Sequence, residues 1–129
     1  LDYNILHCDL AARNILVSKV DDGFTFKIGD FGLSKLLYIN KKEQEKSLLQ
    51  VINLVIFIII IIINLVAWTC PETLKTRIIS KENDIWSFGV TLWEITTNSY
   101  PYQEWKKEEI ELLKQKIITS GCFLSKNAM

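Results

Sequence analysis

Asp9 and Asn14 stand five residues apart in the run His7-Cys8-Asp9-Leu10-Ala11-Ala12-Arg13-Asn14. In a loop, a carboxylate and an amide carbonyl at that spacing can face one site, the first as a base and the second as a neutral metal ligand. Alone, the pair reads as a solvated turn. Asp30 alters that balance. The runs Asn14–Val17 and Phe24–Ile28, separated by a stretch containing Asp21-Asp22-Gly23, predict a β-hairpin with a glycine-containing turn. Folding back of those strands carries the Asp30 carboxylate towards Asn14, and Gly32 lets the chain turn sharply just beyond it. A base with two oxygen ligands for a metal is a set that phosphoryl transfer can use.

The elements that must position these side chains follow from the rest of the pattern. The charged run Asn40–Ser47 reads as a solvated loop or short helix. Pro71 punctuates the chain after an apolar block. From about Asn83 to Thr97, the residues Ile85, Trp86, Phe88, Val90, Leu92, Trp93 and Ile95 cover most of a helix circumference, which predicts a centrally buried helix. Tyr100-Pro101-Tyr102 stops it. Glu104–Thr119 places Ile110, Leu113 and Ile117 on one face, predicting an amphipathic surface helix capped by Gly121. The expected order is hairpin, long loop, helix, helix, without repeats.

Composition narrows the function classes. The 129 residues are 49% hydrophobic and 11% aromatic, enough for a core in one small domain or part of a larger one. Fifteen Lys and Arg balance fifteen Asp and Glu, so no broad basic field exists to collect nucleic acid. Cys8, Cys70 and Cys122 are too widely spaced for a secreted disulfide framework or a zinc knuckle, and they suit a reducing compartment. The chain opens at Leu1 without initiator Met or secretory signature, as a segment of something longer would.

In their order, these motifs resemble those of the protein kinase family, in its tyrosine kinase branch. HCDLAARN (7–14) resembles the catalytic loop HRDLAARN, and KIGDFGLSK (27–35) resembles the DFG magnesium loop. WTCPE (68–72) is similar to the WTAPE end of the activation segment, and DIWSFGVTLWEI (84–95) to the lobe's central helix. SYPY and the helix after it fall in the family's order. Ala11-Ala12-Arg13, where serine/threonine kinases carry a Lys-Pro-Glu type of sequence, points to tyrosine as acceptor.

The resemblance implies an α+β, protein-kinase-like fold: a partial tyrosine kinase domain over 1–129, mainly a helical C-terminal lobe with a β-hairpin, its N-terminal lobe absent. The implied cofactors are ATP and Mg2+, and the implied partner is a protein substrate with an acceptor tyrosine. Asp9 would orient the substrate hydroxyl and accept its proton, and Arg13 would help place the phenolic oxygen. Asn14 and Asp30 would hold the magnesium ions and through them the nucleotide. Support would come from His7 packed beneath Phe31, from Gly32 and Glu72, and from Asp84 accepting from backbone amides of the catalytic loop. Read without the family, His7 is a satisfied core histidine. A Cys8–His7 nucleophile pair fails because adjacent side chains diverge.

Departures from the pattern carry their own expectations. Cys8 replaces an Arg whose guanidinium receives a loop phosphate, so control by loop phosphorylation is expected to be lost. Cys70 replaces Ala and reads as a tolerated change in packing. Tyr38 reads as a solvated tyrosine rather than a phosphosite. No glycine-rich phosphate loop, strand lysine or partner glutamate is in the chain, and Glu72 is expected to lack its usual Arg, which is costly if it is buried.

The block VINLVIFIIIIIINLVAW (51–68) holds eighteen uncharged residues inside an activation segment (30–72) of 43 residues, longer than the family's usual. By length it reaches the lower end of a transmembrane span, but spanning there would put Asp30 and Asp84 on opposite sides of a bilayer. A natural insertion of ten consecutive apolar residues, Leu54–Ile63, would be an aggregation hazard. The favoured reading is translated intron. Ile, Asn, Leu and Phe are what A/T-rich DNA encodes, and excision from the second base of Ser47 through the first base of Val66 stays in frame. It leaves one Ile or Met before Ala67.

The sequence therefore predicts a piece of a protein tyrosine kinase, cytoplasmic or at the cytoplasmic face of a membrane, with the isolated chain inactive. Its rivals are a noncatalytic pseudokinase or interaction module, and a membrane-associated fragment held through 51–68. Retention of Asp9, Asn14 and Asp30 together argues against a scaffold.

Overall fold

The computed structural model describes residues 5–36, 48, 51–52, 54–55, 58 and 65–121. Strand β1 (Ile5–Leu6) pairs antiparallel with β4 (Lys35–Leu36), Ile5 opposite Leu36 and Leu6 opposite Lys35. That short ladder ties the entry to residues 7–14 to the exit from residues 30–34. Between them, β2 (Ile15–Val20) and β3 (Gly23–Ile28) form the hairpin, in register from Ile15 opposite Ile28 to Val20 opposite Gly23. Its two-residue turn is Asp21-Asp22, and Gly23 has φ +146°, a value open to glycine and rare for other residues. Beyond the last strand pair, the Gly29 N–H donates to the Asn14 carbonyl at 2.8 Å. Residue 30 therefore leaves the hairpin beside residue 14.

A helix occupies part of the expected long loop. Helix α1 (Pro71–Thr76) begins at Pro71, whose missing N–H would have been unpaired in the first turn anyway. Cys70 is its N-cap, and the chain leaves it through Arg77 at φ +62°, with the Arg77 N–H on the Thr73 carbonyl. Pro71 thus opens a helix rather than merely punctuating the chain. Helix α2 (Lys81–Thr97) starts two residues before the apolar pattern does, and Asn98 ends it in the left-handed region. Helix α3 (Ile110–Ser120) follows a 3-10 turn at Lys107–Glu109, so the helix expected from 104 begins later. Residues 101–105 form turns instead, and Tyr102 takes φ +55°. Gly121 caps α3 with its N–H on the Ile117 carbonyl.

The expected central burial of α2 is corrected. Ile85, Phe88, Leu92 and Ile95 are exposed, Ile85 by 71%. The buried face is Asn83, Ser87, Val90, Thr91 and Glu94. Its neighbours explain the inversion, because α2 packs against irregular chain: the 3-10 turn Ala12–Asn14 and a second one at Leu65–Trp68. Irregular backbone carries unpaired amides and carbonyls, and those need polar side chains opposite them.

The core gathers Leu6, Cys8, Ala11, the whole turn Leu65–Trp68, Leu74 and Ile79 with Val90, Leu113 and Ile117. Leu65 and Val66, at the end of the apolar block, are thus structural. Leu48, Val51, Ile52, Leu54, Val55 and Ile58 are helical positions with exposed side chains. The rest of the block before Leu65, with Tyr38, the run 40–47 and Cys122, lies outside the described residues. Among the described residues, no helix is long and apolar enough to cross a membrane.

Candidate active site

Helix α2 holds the loop 7–14 by its backbone. Asp84 in the first turn accepts the His7 N–H at 2.7 Å through Oδ2 and the Cys8 N–H at 2.9 Å through Oδ1. Both oxygens of one carboxylate thereby fix two successive amides. The turn needs such a clamp, since Cys8 sits at φ +67°, where a side chain is strained. The Cys8 side chain is buried in the core cluster.

His7 links this loop to the one after the hairpin. Its Nε2 lies 3.0 Å from the Gly29 carbonyl, which can only accept, so Nε2 carries the proton. Nδ1 is then free to accept the Asp9 N–H at 3.3 Å. The His7 ring also meets Phe31 edge to face, centroids 4.6 Å apart. A Cβ at Gly32 would stand 3.1 Å from Asp30 Oδ1, a tight contact with the end of an exposed side chain, and that oxygen accepts the Gly32 N–H at 3.2 Å.

Asp9 and Asn14 come together through Asn14 Nδ2, which donates to the Asp9 carbonyl at 2.7 Å and to Asp9 Oδ2 at 3.0 Å. Asp9 Oδ1 pairs with the Arg13 guanidinium. Asn14 is buried, with its amide nitrogen committed to Asp9, which leaves its carbonyl oxygen as the atom able to face a cation. Asp30 is exposed at φ +57° and lies next to Gly29, the residue bonded to Asn14. Asp9, Arg13, Asn14 and Asp30 thus sit at one end of the hairpin, and Glu72 is in the first turn of α1. Glu72 is exposed, so the burial cost foreseen for an unpaired carboxylate does not arise.

The sequence pattern left three site residues without a role. Asn83 Oδ1 accepts the Cys70 N–H at 3.1 Å, and Ser87 Oγ donates to the Trp68 carbonyl at 2.6 Å. Glu94 accepts from the Trp68 indole and from the Ala12 amide. Their spacing of four and seven residues along α2 was a signal, a polar stripe within an apolar helix. Beside it, the Cys70 thiol donates to Thr73 Oγ1 at 3.2 Å and accepts the Thr73 N–H at 3.4 Å. Burial holds the Cys70 pKa above the usual thiol value, with the Thr73 contacts pulling the other way.

The profile of the family described as protein tyrosine and serine/threonine kinase matches residues 2–121. The chain belongs to that family. Over 108 residues, 81% of this chain, it is 40% identical to the human insulin receptor-related protein and 38% identical to the insulin-like growth factor 1 receptor of Xenopus laevis. The chain spans about 7% of the length of each.

The oxygen donors present suit a hard divalent cation such as magnesium. Mg2+ takes one or two carboxylates with substrate phosphates, and Asn14 and Asp30 offer a carbonyl and a carboxylate. No group of three or more His, Cys, Asp or Glu converges as a metal site among the described residues.

Proposed function

We propose that this chain is the C-terminal lobe region of a protein tyrosine kinase domain, acting with Mg-ATP on tyrosine hydroxyls of a protein substrate. The observation that carries the reading is the joining of two loops at one end of the hairpin. His7 bonds Gly29 and meets Phe31 edge to face, and the Asn14 carbonyl takes the Gly29 amide. That arrangement supports a reading in which Asp9, Asn14 and Asp30 serve one site at the same end of the hairpin.

Each residue's part follows from its contacts. Asp9, held by Asn14 and Arg13, presents a carboxylate that orients a phenolic hydroxyl and takes its proton. Arg13, paired with that carboxylate, supplies positive charge beside the incoming oxygen. Asn14 and Asp30 hold magnesium, which when bound neutralises charge on the transferring phosphoryl group. His7 keeps the two loops together, and Asp84 holds the first of them to α2. The receptor relatives favour the cytoplasmic face of a membrane as the place of action.

Nucleotide titration tests the reading in the full-length gene product. ATP is expected to bind in the presence of Mg2+, and Asp30→Asn is expected to weaken that binding about tenfold or more. Absence of Mg2+-dependent binding would favour the noncatalytic scaffold.

A further inference from the structure

Glu94 belongs to neither the base nor the metal ligands, yet it lies where three parts of the site meet. It is 9% exposed, near the C-terminal end of α2. A single oxygen, Oε2, accepts the Ala12 backbone N–H at 3.0 Å and the Trp68 indole Nε1–H at 2.8 Å. The Arg13 guanidinium lies over the same Trp68 ring, 4.8 Å from its centroid. Tyr100 closes the ring from its edge, centroids 5.0 Å apart. Arg13 in turn pairs with Asp9.

Glu94 therefore reaches Arg13 by two routes. Through Ala12 it fixes the backbone just before Arg13, inside the 3-10 turn Ala12–Asn14. Through Trp68 it fixes the aromatic face on which the guanidinium rests, and a planar guanidinium takes its orientation from such a face. A carboxylate suits this place because one oxygen must serve two donors in a buried setting.

We propose that Glu94 is a positioning residue that sets the Arg13 guanidinium, by way of the Ala12 amide and the Trp68 ring, and so governs how Asp9 is presented to the substrate hydroxyl. The role rests on the kinase reading above. It assigns Trp68 a second part as the platform for Arg13. A structural prop alone would stabilise the fold without acting through Arg13.

The test compares Glu94→Ala, Glu94→Gln, Arg13→Ala and the double Glu94→Ala/Arg13→Ala in the full-length gene product. Glu94→Ala is expected to lower kcat on a tyrosine peptide about tenfold or more while the KM for Mg-ATP stays within about twofold. Gln keeps a carbonyl oxygen able to accept twice and should restore kcat to within about threefold of the unsubstituted protein. The double variant should be no slower than Arg13→Ala alone, since both changes break one chain of contacts. Additive losses, or a Gln variant as slow as Ala, would overturn the proposal.

Hydrogen exchange supplies a measurement independent of turnover. In Glu94→Ala, exchange at the Ala12 amide and the Trp68 indole should quicken about tenfold or more, with protection in the middle of α2 retained. Unchanged protection at both groups overturns the proposal. Absence of phosphate transfer by the unsubstituted protein counts against the kinase reading, and exchange at these two groups then decides whether Glu94 holds them.

Discussion

Asp84 shows how much one carboxylate can carry. It takes two backbone amides on the far side of the chain, from a loop 76 and 77 residues away in sequence. Asp84→Ala leaves both donors without their acceptor, and the expected loss is about 2–4 kcal/mol, on the scale of a broken charge-assisted pair. Thermal or urea unfolding of the two proteins checks it. A change below about 0.5 kcal/mol, the size of an ordinary surface substitution, would mean the clamp is not formed. The roles of Asp84 and His7 could be read from the sequence because the family motifs carry them. For Glu94 the polar stripe marks the residue but not its partners, since Ala12 and Trp68 lie 82 and 26 residues away and no local pattern joins them.

Cys70 gives a prediction in pH. Its pKa is raised by burial. The folded state therefore keeps the thiol proton where the unfolded chain would release it. The stability that this retention contributes is complete below the ordinary thiol pKa and is lost as pH rises through the raised one. Unfolding midpoints should fall over that alkaline window, and Cys70→Ala should flatten the fall. A thiol reagent should modify Cys70 slowly at neutral pH and quickly in denaturant. Equal rates in the two conditions would contradict the burial.

Among the elements, the hairpin was the most legible, because its alternating runs and turn residues are local signals. Helix α1 was missed because Pro71 signals either a break or a first helical turn, and the choice depends on Cys70 accepting the Thr73 amide. Helix α2 lies close to the expected 83–97 but buries one mainly polar face, where burial nearly all round is expected. Hydrophobicity marked Ile85, Phe88 and Leu92 for burial, whereas the backbone needs of residues 7–14 and 65–70 drew Asn83, Ser87 and Glu94 inward. Hydrophobic periodicity does not register hydrogen-bond demand from distant irregular chain.

The apolar block divides at about Leu65. Leu65 and Val66 enter the core, and Leu48, Val51, Ile52, Leu54, Val55 and Ile58 do not. An excision leaving one Ile or Met before Ala67 would keep an apolar side chain at the position of Val66, which is 2% exposed. Under the intron reading, a protein with residues 47–66 replaced by a single Ile should keep its cooperative unfolding and aggregate less. The spliced transcript should lack those codons. A transcript retaining them, or a replacement protein that fails to unfold cooperatively, would count against that reading.

At the scale of the whole molecule, apolar surface remains open on the hairpin and on α2 among the described residues. Leu16, Val17, Phe24, Phe26 and Ile28 are exposed on the hairpin, as are Ile85, Phe88, Leu92 and Ile95 on α2. Patches of that kind favour association of the isolated chain, and a two-stranded hairpin gains little stability alone. The fold class was legible because the motifs are ordered along the chain. The balanced charge argued only against a nucleic-acid surface and located nothing.

The most direct measurement is transfer of labelled γ-phosphate from Mg-ATP to a tyrosine peptide by the full-length gene product, beside its Asp9→Asn variant. Label should appear on tyrosine, and the variant should lose turnover by a factor on the order of 10²–10⁴, the scale of a lost general base. Label confined to serine or threonine, or equal transfer by the two proteins, would contradict the assignment of Asp9 and of the tyrosine acceptor.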